Sequence, residues 1–258
     1  VLNTMTPGKK SFRVKRAMIA SAAVALLVGS MFASAPSFAS VTFRDATSAS
    51  ATPSAITATA GNRDERTSCG DITPPIPAGA VGDLLVAQVI AREEDASVTM
   101  PGWTALYTDN VAGEEYQVFL FYRSATNTSA DTNTISQAGT CDFLTARITR
   151  FENVDTLQPL EPTSGNAAYS DADNVDTGTQ AVNVANSMLM LATFVANNRT
   201  VNQGAFTQLY DDSDNSGRNG AISLNYQFEA TTGPKGPFNN MDIQGNGNFP
   251  NHGVLFAV

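Results

Sequence analysis

Three stretches of this chain are apolar whichever way a strand is turned: Leu84-Leu-Val-Ala-Gln-Val-Ile90, Tyr116-Gln-Val-Phe-Leu-Phe-Tyr122 and Ser187-Met-Leu-Met-Leu-Ala-Thr-Phe-Val195. A strand sends alternate side chains to opposite faces, so a run that is apolar at odd and even positions alike is a central strand covered on two sides. Ile222, Leu224, Tyr226 and Phe228 instead alternate with Ser223, Asn225 and Gln227, the pattern of a strand with one wet face. Further strands are expected at Phe143–Phe151, Gln180–Val184, Phe206–Tyr210 and Val254–Val258, with Gly/Asn/Asp/Ser/Pro clusters such as Thr163–Thr179 and Thr231–Pro250 between them. Beyond residue 39 no segment keeps a 3.6-residue period. Short strands separated by turn clusters predict an all-β fold, an antiparallel β-sandwich of jelly-roll type.

The first residues carry Lys9, Lys10, Arg13, Lys15 and Arg16 without an acid, and an apolar run from Ala17 to Ala33 follows. This predicts a secretory signal peptide over residues 1–39, cut after Ser37-Phe38-Ala39 so that the mature chain starts at Ser40. An uncleaved membrane anchor is the alternative. Val1 with Met5 close behind suggests a non-ATG start and a bacterial gene. Loss of the leader removes five bases and no acid, leaving 24 acids against 10 bases (15 less 5), a net charge of −14, with Lys235 the one remaining lysine. Such a surface repels nucleic acid and anionic membranes. The chain divides into the leader, a Ser/Thr/Ala-rich arm or first strand over 40–61, and a sandwich domain over 62–258.

Five short motifs recur here in a fixed order: Ile76-Pro77, Gly82-Asp-Leu-Leu-Val-Ala87, Pro101-Gly-Trp-Thr104, Phe121-Tyr-Arg-Ser-Ala125, and Arg150-Phe-Glu-Asn-Val-Asp155 with Pro159. In order and spacing they resemble a β-sandwich module of bacterial secreted proteins and phage tail-associated proteins, over about residues 70–258. The resemblance implies display or adhesion at a surface and no enzymatic activity. The chain departs from the family pattern where it reads Phe151-Glu-Asn-Val-Asp155 instead of Tyr-x-Gly-Val-Asp.

Trp103, the sole tryptophan, follows a Pro-Gly turn and is either a platform for a sugar ring or a core residue. Its place in the family pattern and its alternation with Ala105 and Tyr107 favour structural core for Trp103 and Tyr107. Cys69 and Cys141, an even count in an exported chain, predict a disulfide. The only histidine, His252, reads as a turn residue beside the last strand; no G-x-S-x-G elbow accompanies it. Glu114, Glu115, Glu152 and Asp155 are the candidates for a paired-carboxylate glycosidase. Asp212, Asp214 and Ser216 alternate ahead of Gly217 like half of a calcium loop, but Ser223 stands where the bidentate glutamate belongs. Asp171, Asp173 and Asp176 form a second acidic loop. Solvated turns are the favoured reading of both, calcium being the one cofactor indicated.

The leading expectation is therefore a non-catalytic surface structural or adhesive module whose partner is a glycan or another cell-surface component. Two alternatives stand beside it: a self-assembling filament subunit whose 40–61 arm adds to a neighbour's sheet, and a secreted glycosidase or lyase.

Overall fold

The computed structural model describes residues 56–258, apart from 68–69, 93–96, 110–115, 127–132, 140–142, 156, 162–165, 173, 197–198, 214–219, 240 and 245–248. Among the described residues the first half of the fold runs β1 (Thr57–Ala60), β2 (Asp64–Arg66), β3 (Leu84–Arg92), β4 (Ser97–Thr99), β5 (Thr104–Asp109), β6 (Tyr116–Ser124), β7 (Ser136–Ala138) and β8 (Phe143–Glu152). The second half runs β9 (Asn166–Ala172), β10 (Asn174–Val175), β11 (Gln180–Val182), β12 (Ser187–Val195), β13 (Thr207–Asp211), β14 (Ala221–Glu229), β15 (Gly233–Lys235), β16 (Met241–Asp242) and β17 (Phe249–Ala257).

The antiparallel β-sandwich expected from the sequence is what the chain forms. One sheet has the order β1-β8-β3-β6-β5, with β2 also on β8, and the other β13-β14-β12-β17-β9. Connections are simpler than the strand exchange of a jelly roll: the first sheet is complete at β8, before any strand of the second begins. Between the sheets, Leu84, Val86, Ile90 and Leu120 meet Met188, Met190, Phe194, Ile222 and Phe256. The odd-numbered neighbours face outward and are buried as well. Leu85, Ala87 and Val89 lie under Ile72, Ile76 and the β4–β7 pair, while Leu189, Leu191 and Leu255 lie under Val175, Val182, Val201 and Met241. This double cover accounts for the two-faced apolar runs, each buried side chain contributing about 1.5–3 kcal/mol of transfer free energy against the entropy of ordering it.

The two sheets are copies of one plan. In each, a central strand (β3 or β12) is flanked by two others (β6 and β8, or β14 and β17), and an outer strand (β5 or β13) lies beyond β6 or β14. The likeness reaches single residues. Ser97-Val-Thr-Met-Pro-Gly-Trp-Thr-Ala-Leu-Tyr-Thr-Asp109 corresponds to Thr200-Val-Asn-Gln-Gly-Ala-Phe-Thr-Gln-Leu-Tyr-Asp-Asp212. Trp103 N donates to Met100 O at 3.2 Å, and Phe206 N to Gln203 O at 3.1 Å. Each outer strand has a bulge at the same step, between Ala105 and Tyr107 and between Gln208 and Tyr210. Gly82 and Asn186, both at positive φ, open β3 and β12 with equivalent bonds to Ala125 O and Glu229 O.

One expectation about the strands is corrected. The polar face of β14 is not wet: Ser223 and Asn225 are buried, and hydroxyl and amide groups bond one another there. Thr193 Oγ1 bonds Ser223 Oγ, and Asn225 Nδ2 donates to the same oxygen at 3.1 Å. Along the apolar face, by contrast, Phe228 is 53% exposed. Within the 40–61 segment, expected as an arm or a first strand, Thr57–Ala60 forms a strand paired with β8 of its own chain.

Candidate functional site

The bulge in β5 separates two residues that the alternation of the sequence had put together. Leu106 is the extra residue, so Trp103 packs on the outer layer while Leu106 and Tyr107 both pack toward the space between the sheets. Trp103 is half-buried. The Arg123 guanidinium sits 4.9 Å from its ring centroid, and its Nε1 donates to Asn133 Oδ1 at 3.4 Å. A ring under a guanidinium is no bare platform for a sugar. We expect Trp103→Ala to cost about 1.5–3 kcal/mol in urea denaturation, less than a fully buried tryptophan would. A loss above about 4 kcal/mol would show that the ring works as deep core.

Between the sheets the two halves set up related polar couples, each joining an Asp of one half to a basic side chain of the other. In the first, Tyr107 OH donates to Asp109 Oδ2 at 2.9 Å, and His252 Nδ1 lies 3.4 Å from the same oxygen. His252 is therefore not a turn residue; it lies within β17, buried, where Phe194 pairs with it on one side. In the second, Arg147 Nη1 meets Asp212 Oδ1 at 2.7 Å and its guanidinium covers the Tyr210 ring at 4.4 Å. Tyr210 OH donates to Gln88 Oε1 at 2.7 Å, and Gln88 Nε2 donates to Thr193 O at 2.7 Å and Ser223 O at 3.2 Å. Gln88, the one polar residue in its apolar run, thus stitches sheet to sheet. Burial, and after it the bond to and charge of Asp109, push the Tyr107 phenol far above its ordinary range. Burial does the same for Tyr210, against the pull of Arg147. Both hydroxyls serve as hydrogen-bond donors within these couples.

Of the calcium candidates, Asp212 has one carboxylate oxygen on Arg147, while Asp214 and Ser216 lie outside the described residues. Asp173 also lies outside them. Among the described residues no group of three or more His, Cys, Asp or Glu is placed to hold a metal ion. Glu152 ends β8 and Asp155 accepts from Leu157 N at 2.9 Å, a local turn bond; Glu114 and Glu115 lie outside the described residues. So do Cys69 and Cys141, although Arg66 pairs with Leu144 and Ile72 bridges Ile135 on either side of them.

Two buried ionic groups escaped the sequence reading. Arg150 is 1% exposed and bonds Asp83 Oδ2 at 3.2 Å and Ala80 O at 3.1 Å. Glu161 accepts from Asn183 N and Nδ2, Val184 N and Ser187 Oγ, tying the approach to β12. The sequence reading also missed a cleft of about 390 Å³ in the second half, where the turn before β13 meets the Pro237–Asp242 segment. Its walls include Asn202, Gln203, Phe206, Phe238, Asn239 and Asp242. The only signal for it was an excess of Asn and Gln in stretches that read as turns.

No family model, no curated protein and no solved structure matches the chain.

Proposed function

We propose that the protein is an exported, non-catalytic β-sandwich module with a structural or adhesive role at a cell surface, taking a glycan or another surface component as its partner. One observation carries this reading. Among the described residues, the side chains best able to do chemistry, Tyr107, Asp109, Arg147, Tyr210, Asp212 and His252, lie between the two sheets and hold one half to the other. The basic-apolar leader, the acidic mature surface and the resemblance to a display module support the same reading. Fractionation of a bacterial host expressing the full chain, followed by a glycan array with the processed protein, tests it. Protein retained in the cytosol with residues 1–39 attached, or reducing-sugar release from a polysaccharide panel, overturns it.

Self-association is the second reading, and a specific surface favours it. Ile56, Met188, Leu209, Tyr226 and Phe228 line an apolar depression at the edge where β1 and β13 lie, with Phe228 standing over half exposed. Large exposed aromatic side chains in an apolar setting mark contact surfaces. If copies associate there, Phe228→Asp reduces the solution mass to that of the monomer at unchanged melting temperature. A wild-type protein already monomeric at high concentration removes this reading.

A further inference from the structure

We infer that the cleft between the turn before β13 and the Pro237–Asp242 segment is a binding subsite for a neutral, hydroxyl-rich ligand of the carbohydrate class. The inference rests on the glycan arm of the proposed function and gives it a place. Four features point there.

The first is rigidity. Asn202 N donates to Asp242 O at 2.8 Å, Gln244 N to Thr200 O at 2.9 Å and Phe206 N to Gln203 O at 3.1 Å, so the two walls are tied to each other and to the β13 turn. Phe238 is anchored from below: its N donates to Thr177 Oγ1 at 2.8 Å, and its O accepts from Thr177 N at 3.0 Å. A site held by backbone bonds loses little entropy on binding.

The second is the set of polar groups left over. Asn202 Oδ1 accepts from Gly204 N at 3.3 Å, which leaves its Nδ2 unengaged. The side chains of Gln203, Asn239 and Asp242 make no hydrogen bond or ion pair with another described residue. Planar amides offer a donor and an acceptor side by side and a carboxylate offers two acceptors, the complement of vicinal hydroxyl groups.

The third is the aromatic wall. Phe238 is half-buried and meets Phe206 edge-to-face, with centroids 4.9 Å apart and planes at 78°. A fixed ring beside polar side chains suits the alternating C–H and O–H surfaces of a sugar.

The fourth is charge. Among the described residues no cation lines the cleft, and Lys235, nearby in sequence, is held by Glu229 Oε2 at 2.6 Å. Asp242 therefore disfavours anionic ligands. The repeat sharpens this point. In the first half the corresponding aromatic, Trp103, is covered by Arg123, whereas the second half has Gln227 at that strand position, with its Nε2 donated to Glu229. The two halves share a scaffold and differ where the cleft opens.

The test uses the full chain, processed as the host delivers it, with cellobiose, maltose, lactose and chitobiose as probes, titrated by calorimetry and by amide NMR shifts. At least one disaccharide is expected to bind, and Asn239→Ala combined with Asp242→Ala is expected to weaken it about tenfold or more at an unchanged melting temperature. A digalacturonate probe is expected to bind more weakly than its neutral counterparts. If the double variant destabilises the fold, Asp242→Asn with Gln203→Ala replaces it. Undiminished binding in the variants overturns the subsite and leaves the glycan arm standing elsewhere on the molecule. Equal binding of digalacturonate overturns the neutral-ligand class. If none of the four probes binds the wild-type protein, the subsite and the glycan arm fall together, and the structural-module reading is then judged by fractionation alone.

Discussion

Asp83→Ala is expected to lower unfolding free energy by about 3–5 kcal/mol, among the largest effects of any single substitution in this protein. The reason lies in its partner. Arg150 is a 1% exposed guanidinium, and its Nε–H has no hydrogen-bond partner among the described residues even in the intact protein. Removal of Asp83 leaves that charge with the Ala80 carbonyl alone, and Ala80 N loses its own acceptor, Asp83 Oδ2, at 2.7 Å. Gly79 shows how tightly the site is closed, since a Cβ there would run into Arg150 Cδ and stand 2.7 Å from Asp83 Oδ2. Asp83→Leu combined with Arg150→Met should recover most of the loss, because an apolar pair of similar bulk has no charge to desolvate. Urea denaturation of the two singles and the double closes the cycle. A single-variant loss below about 1 kcal/mol would mean that water reaches the guanidinium.

Cys69 and Cys141 are expected to be joined, and their replacement by serine to cost roughly 4 kcal/mol on the chain-entropy estimate for a span of 72 residues (141 less 69). Neither cysteine lies among the described residues, but their described neighbours are paired, Arg66 with Leu144 and Ile72 with Ile135. The two segments are thus already neighbours on both sides of the cysteines. Alkylation of the unfolded, unreduced protein recovered after export, followed by mass measurement, should show no adduct. Two adducts would sink the crosslink and its contribution to stability.

The sandwich was legible because burial on two faces leaves a mark that no other strand environment leaves, and β3, β6 and β12 carry it. Position within a strand was less legible. Alternation from Trp103 to Tyr107 assumes an unbroken pleat, and a bulge, which has no residue signature of its own here, moved Tyr107 to the other face. Ser223 and Asn225 read as wet because a residue scale cannot know that Thr193 waits across the ladder for Ser223, whose hydroxyl in turn accepts from Asn225 Nδ2. The strand β9 fell within a stretch that looked like a turn cluster. Asn166-Ala-Ala-Tyr-Ser-Asp-Ala172 has no β-branched residue, and its pairing with β17 is made by the backbone. The repeat went unseen since Val, Thr, Leu, Tyr and Asp coincide at scattered positions, while the shared turn bond and bulge are features of geometry. Asp83 stood within a visible motif, but its partner is 67 residues away in sequence.

The shared plan of the two sheets also sets an order of events during synthesis. The first sheet can pair all its strands once residue 152 has emerged, yet its inner face, with Leu84, Val86, Ile90 and Leu120, has nothing to rest against until the second sheet exists. That second sheet closes from the middle, because β17 inserts between β12 and β9 and comes after every other strand of its sheet in chain order. For roughly a hundred residues of elongation the nascent chain therefore presents the apolar, unpartnered face of a six-stranded sheet, the kind of intermediate that aggregates or pairs with a neighbouring chain. Deletion of β17 should trap the protein at that stage. A holding factor is then needed most during the interval between the emergence of Glu152 and that of Ala257.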